Sequence, residues 1–251
     1  MKGIRIMWGV VALAVLFTGA VSFKALSFDP VLSFQVKAEA TPPPPDVDKR
    51  DLSKYGSVEF NSAGPVGPTE KRWFANQRYD RQFWVFTRVD TNPQAGGVGK
   101  TTHDPLPPQF PVDQSSLIVT GSVVSVQAYL SNDKRGVYSE FTIQIEEILK
   151  NTAKESLKSV TADREGGVVI YPNGQRIMYV SDLGLPLLGS NYLFFLRKVG
   201  ESPNYEILTG YSIDGSKVFR LEYSGDRDAF KDFNKLKLVE SVRTKIAKED
   251  N

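Results

Sequence analysis

The chain has 251 residues, 41% hydrophobic and 11% aromatic, enough to fill one good core, so one domain plus a linker is expected. Its formal net charge is +2, and all of it comes from Lys2, Arg5, Lys24 and Lys37 against Asp29 and Glu39 in the first forty residues; the remainder is formally neutral and offers no basic surface for coating DNA or RNA. Without cysteine and with His103 as the one histidine, the chain excludes thiol catalysis, thiolate metal sites, a lipoprotein anchor, a three-histidine zinc centre and any serine triad not built on His103.

Ile6 to Phe23 is an apolar run behind Lys2 and Arg5, the pattern of an export signal or an N-terminal membrane anchor. It places the function outside the cytoplasm, in a periplasmic or secreted protein. Ala20 and Ser22 are spaced for cleavage after Ser22, although Phe23 and the apolar stretch from Ala25 to Val36 blur the site. A helix rising about 1.5 Å per residue needs about 20 residues to cross the hydrocarbon core, so residues 6–23 are also nearly long enough to remain as a tether. Residues 1–23 are therefore read as a signal peptide, with a retained anchor as the alternative. A cysteine-free exported domain must be held by its core alone.

Residues 24–69 read as a disordered Pro-rich linker, marked by TPPPP at Thr41 to Pro45, which favours extended polyproline backbone. Residues 70–111 read as an arm and a Gly/Pro-rich loop packed on the domain. Their aromatic island (Trp73, Phe74, Tyr79, Phe83, Trp84, Phe86) is expected to be a short strand or arm laid on the core, because large exposed apolar patches are uncommon on soluble proteins.

Ala95 to Thr102 reads AGGVGKTT and looks like the phosphate-binding loop of the ParA and MinD type of ATPase, with Gly96, Gly97, Gly99, Lys100 and Thr101 at matching positions. Such a loop works by opening into a helix whose N-terminus faces the phosphates. Here Pro105, Pro107, Pro108 and Pro111 follow, so no helix can start and persist, and Ala95 stands where that family has a further lysine. No nucleotide is expected, and the segment is read as a flexible loop. His103 beside Asp104 falls in the same proline-flanked loop and is read as an exposed histidine in place of a held general base.

From Ser116 the text becomes β. Leu117 to Tyr129 and Val137 to Leu149 alternate across the loop SNDKRG, a long ribbon; two strands flank Asn173-Gly174, a two-residue hairpin signal; Tyr192 to Val199 is too apolar for a wet face and should be the buried central strand. Tyr205 to Tyr211 and Lys217 to Tyr223, joined at Asp214-Gly215, supply the last pair. The fold class is mainly β: a small OB-like closed or partly open β-barrel over residues 112–225, in which the long first hairpin is shared around the barrel, with a C-terminal α-helix over 226–251. Asp226 is its expected cap, with Phe230, Phe233, Lys237 and Val239 to Ile246 as its apolar stripe and Lys231, Asp232, Lys235, Glu240, Arg243 and Lys245 on a solvated face.

The stretch LIVTGSVVSVQAYLSNDKRGVYSEFTIQIEEILK, followed by LGSNYLFFLRK, resembles a group of uncharacterised exported bacterial proteins with an OB-like barrel, over residues 70 to 225. The resemblance implies a fold and an address without an activity. The barrel is distantly similar to the netrin and metalloproteinase-inhibitor modules, which depend on an N-terminal cysteine and disulfides, so protease inhibition does not carry over.

No catalytic, cofactor-binding or metal-ligating residue is assigned. Glu146 and Glu147, neighbours on a strand, should point to opposite faces unless a bulge intervenes. A hydrolase would need two of Glu140, Glu146, Asp163, Glu165 and Asp182 to converge in one cleft. The hairpin tip at Asp133, Lys134 and Arg135 reads as a solvated turn and the first choice for a partner contact, with the Gly96 to His103 loop second. The expectation is a non-enzymatic module that binds a protein or a cell-envelope component, through an aromatic or charged groove beside the Asp133 loop. The alternatives are an extracytoplasmic hydrolase using carboxylates and a single-stranded nucleic-acid-binding OB domain, the latter disfavoured by neutral charge and export.

Overall fold

A computed structural model describes residues 51–64, 67, 70–80, 87–90, 108–154, 156–181, 183–200, 202, 204–215, 217–222, 230 and 233–249. The leader, most of the linker, the Gly96 to His103 loop, Asp182 and Asp226 lie outside them. The protein is mainly β, with strands β1 (Ser57–Glu59), β2 (Thr87–Asp90), β3 (Leu117–Leu130), β4 (Val137–Asn151), β5 (Ser159–Glu165), β6 (Gly167–Ile170), β7 (Arg176–Val180), β8 (Asn191–Lys198), β9 (Tyr205–Ser212) and β10 (Phe219–Arg220) and helices α1 (Lys71–Gln77) and α2 (Lys235–Glu249).

Five strands close a ring. The larger sheet runs β10-β9-β5-β4-β3-β8, and β9 also pairs with β8, so the order returns on itself. All neighbours in the ring are antiparallel except β5 and β9, which run parallel through Ala162↔Tyr205 and Asp163↔Glu206. The sequence reading expected a closed or partly open arrangement with the long first hairpin shared around it, and the ring is of that kind: β3 pairs with β4 along its length and with β8 over Leu117–Ser122. The side-chain period of two sorts β8 between two cores. Tyr192, Phe194 and Leu196 join Phe141, Ile143 and Leu117 inside the ring, while Leu193 and Phe195 join a second cluster on its outside. Both faces of β8 are buried, as its unbroken apolar run predicts.

The second cluster is roofed by α2, whose Leu238 and Val239 are buried with Val242, four and three residues further on, as one stripe of a helix. At roughly 1.5–3 kcal/mol for each large apolar side chain taken from water, this stripe holds the helix down. The helix begins later than the apolar pattern suggests. Asn234 caps it, its Oδ1 accepting from the Lys237 N–H at 2.9 Å, while Phe230 and Phe233 lie before the helix and stack edge-to-face on each other. Its charged face is also less free than expected: Lys235 pairs with Glu146, Arg243 with Glu147, and Lys245 donates to the Phe110 carbonyl.

A smaller sheet, β1-β6-β7-β2, lies against the ring. The sequence placed residues 51–64 in a linker, yet Leu52–Lys54 forms a 3-10 turn capped by Asp51, and β1 pairs in parallel with β6 through Ser57↔Val168 to Glu59↔Ile170. The Asn173-Gly174 hairpin is present with a three-residue loop instead of two: Gly174 donates to the Tyr171 carbonyl at 2.8 Å with φ +80°, and Tyr171 donates to Gln175. The aromatic arm is helical over α1, which carries Trp73 and Phe74 and buries Ala75, Asn76 and the following Tyr79 on the ring, while Phe83, Trp84 and Phe86 lie outside the described residues. Among the described residues no helix is long and apolar enough to cross a membrane.

Candidate functional site

α1 lies on the outer face of β4, β5 and β9, where the strand register lines up three carboxylates. Glu140 faces Asp163, and Asp163 faces Glu206. Like charges on adjacent strands repel, so the row needs cations. The segment around α1 supplies two of them. Arg72 pairs with Glu140, and Arg78 donates to both Asp163 oxygens at 2.8 and 3.0 Å, while Arg197 on β8 closes on Glu206 at 2.6 Å. The Tyr79 hydroxyl donates to Asp163 at 2.8 Å, and its ring stacks on Tyr138 at 4.4 Å. Tyr138 in turn donates to Asn76, and Asn204 donates to Glu140.

Asp163 is fully buried. That burial, the largest effect, pushes its carboxyl up to about 6, with Glu140 raising it further, against the lowering by Arg78 and the Tyr79 hydrogen bond. Burial also pushes the Tyr79 and Tyr138 hydroxyls up, keeping both as donors. Glu140 and Asp163 are thus brought together, as a carboxylate hydrolase would require, but beneath α1, with Glu140 Oε1 and both Asp163 oxygens already engaged. Glu165 ends β5 opposite Tyr138 and away from that pair.

Glu146 and Glu147 depart from the expected opposite faces. The register passes from Thr120↔Glu147 to Gly121↔Ile145, so Glu146 is the extra residue of a bulge, and both glutamates turn toward α2, each with its own cation.

The hairpin tip is a solvated turn, with Asp133, Lys134 and Arg135 exposed, but it is also tied down. Asp133 orders it by accepting from Ser131 Oγ and the Arg135 N–H, and its own N–H donates to Asp80 just after α1. Asn132 donates through Nδ2 to the Trp73 carbonyl at 3.1 Å, which leaves its buried Oδ1 without a donor. Lys134, at φ 56°, reaches the Phe60 and Ser62 carbonyls at 3.5 Å and lies 6.0 Å over the Phe60 ring.

Beside this tip a groove of about 740 Å³ runs between β1, the second half of β3 and α1. Trp73 and Tyr129 line it, with the Arg72 guanidinium 3.7 Å over the Tyr129 ring, and Asn132 and Lys134 stand at the tip end. The aromatic and charged groove anticipated beside Asp133 is therefore present; the helix that forms one wall was not anticipated. At the other end the two strands touch. A Cβ on Gly56 would lie 2.7 Å from the Ala128 nitrogen, so only glycine permits the approach, and Gln127 Nε2 bridges to the Ser57 carbonyl at 2.7 Å.

A second charged cluster is buried around Glu222, which accepts from Arg164 Nη2 at 2.7 Å, Thr209 Oγ1 at 2.7 Å and Arg220 Nε at 2.6 Å. It reads as structural, tying the end of β10 to β5. Among the described residues no group of three or more histidine, aspartate or glutamate side chains is placed to hold a metal ion. No protein-family model matches this chain, and no curated protein matches it.

Proposed function

We propose that the protein is an exported, non-enzymatic β module that binds a protein or cell-envelope component, of the kind of exported OB-like proteins its sequence resembles. The observation that carries this reading is the groove beside the hairpin tip. It joins a tryptophan, a tyrosine, an arginine and a lysine within about 740 Å³, a volume in the range of ligand-sized sites. Its polar groups are suited to recognition: among the described residues, the Asn132 acceptor has no donor and the Lys134 ammonium no carboxylate. A carboxylate hydrolase is the weaker reading, because Glu140 and Asp163 are engaged by Arg72, Arg78, Tyr79 and Asn204 and covered by α1. Export rests on the apolar run from Ile6 to Phe23, with cleavage or tethering as its two fates.

Fractionation of tagged cells with mass spectrometry of the N-terminus tests the address. An extracytoplasmic protein, either beginning near residue 23 or membrane-bound with residues 1–23 intact, is expected. A cytoplasmic protein overturns the reading. A photo-crosslinker replacing Arg135 on the tip then tests the site in intact cells. A defined envelope adduct is expected from that position and not from Lys248 at the far end of α2; equal labelling from both overturns the groove.

A further inference from the structure

We propose that the groove takes its partner as an extended peptide, added as a strand along the open edge of β3 with an acidic side chain directed to Lys134 and Arg135. The inference rests on the binding-module reading above and names the class of partner.

β3 is long and only half used on one side. Its edge toward β8 is paired through Ser122, and the Val123 N–H and carbonyl are still taken by Ser190 and Gly189. From Ser125 to Leu130 it pairs, among the described residues, with β4 alone. Ser131 donates to Gly136 next to the turn, so alternation turns the backbone groups of Val126, Ala128 and Leu130 away from β4 along this edge, where Ala128 and Leu130 line the groove. The Ala128 carbonyl is capped by the Gln127 amide at 3.0 Å. Facing this edge across the groove is β1, itself the edge strand of the smaller sheet. β1 does not pair with β3: they meet at Gly56 and Ala128. The Glu59 carbonyl is already taken by the Ser62 N–H. The missing strand therefore belongs to β3. Val126 to Leu130 spans about 17 Å of strand, so four to six residues of partner suffice.

Two further features point to a peptide. Asn132 Oδ1, buried and without a donor, lies on the groove just beyond Leu130, where an incoming strand would present its next N–H. Lys134 and Arg135 make no ion pair with a described residue, while Arg72, the other cation of the groove, is committed to Glu140. A carboxylate on the peptide finds its match at the tip end and not at the Gly56 end. Main-chain bonds supply affinity in this mode, and alternate side chains set preference.

The test pans a phage-displayed library of random dodecapeptides on the full chain and remakes the enriched sequences synthetically. Enriched peptides should carry Asp or Glu toward one end, lose at least tenfold in affinity when alternate backbone amides are N-methylated, and lose about fivefold on Lys134→Glu. Amide exchange at Val126 and Leu130 should slow in the complex. Proline-rich winners, winners indifferent to every N-methyl group, or unchanged exchange at Val126 and Leu130 overturn strand addition. The broader reading has its own readout, co-sedimentation of the full chain with purified cell-envelope fractions. Sedimentation unaffected by Lys134→Glu, without peptide enrichment, overturns strand addition and leaves a binding module. Neither peptide enrichment nor sedimentation overturns both.

Discussion

Asp163 and Arg164, successive residues of β5, send their side chains to opposite sides of the strand, and each ends in a different buried ion pair, Asp163 with Arg78 and Arg164 with Glu222. One strand thus anchors α1 on one side and the end of β10 on the other. Both groups are almost wholly out of water, so each pair is costly to break from one side.

The Asp163 pair predicts a pH dependence. Its folded carboxyl titrates at about 6 against an ordinary 3.8, so the folded state holds the proton more tightly. The associated stability is fully present below about pH 4 and is lost as pH rises through 6, at most roughly 3 kcal/mol. Asp163→Asn should abolish this component. Urea midpoints of wild type and variant, compared at pH 4.5 and 7.5, should show wild type gaining on the variant at the lower pH; parallel profiles would contradict the assignment.

Removing Glu222 should be worse than removing any exposed acid. Glu222→Ala strands the Arg164 and Arg220 guanidinium groups together in a buried site, at a cost of about 3–5 kcal/mol. Glu147→Ala, which loses only an exposed pair with Arg243, should cost under about 1 kcal/mol. Chemical denaturation of the two variants side by side checks the contrast.

Gly184 and Gly189 both have positive φ, +67° and +82°, but differ in space. A Cβ at Gly184 would lie 2.0 Å from the Leu221 carbonyl oxygen, whereas at Gly189 nothing lies within 4 Å. Gly189→Ala should cost about 1–2 kcal/mol for the left-handed backbone alone, and Gly184→Ala several times that or loss of folding. Thermal melts of both variants separate the two effects.

The cap of α2 is a further, milder test. Asn234→Ala leaves the Lys237 N–H without its side-chain acceptor and should lower stability by about 1 kcal/mol, with Asn234→Ser restoring most of it.

Where side-chain chemistry matched the local period, the sequence was readable. The β3–β4 ribbon, the doubly buried β8 and the position of the Asn173-Gly174 turn, though not its length, were anticipated, because alternation and turn residues are local signals. The groove's position beside Asp133 also followed, since a long hairpin must end in an exposed tip. α1 was missed because seven residues are too short to show a helical period, and its hold comes from Glu140 and Asp163, 68 and 85 positions away from their arginines. Asp163 and Arg164 read as polar text because charge is normally solvated; only the pairing of β5 with two other strands reveals that they are enclosed. The strand at Ser57 was hidden for the same reason: its partner Val168 is distant in sequence and parallel.

The parallel contact of β5 with β9 has a kinetic consequence. It is registered by just two residue pairs, whereas β8 and β9 share seven, so it is the shortest seam in the ring. A chain folding from local contacts outward completes its hairpins first and can align this seam only after β9 has joined β8. Ring closure should therefore be a late event, and transient opening of the folded protein should begin between Ala162 and Tyr205, directly below the place where α1 is fastened.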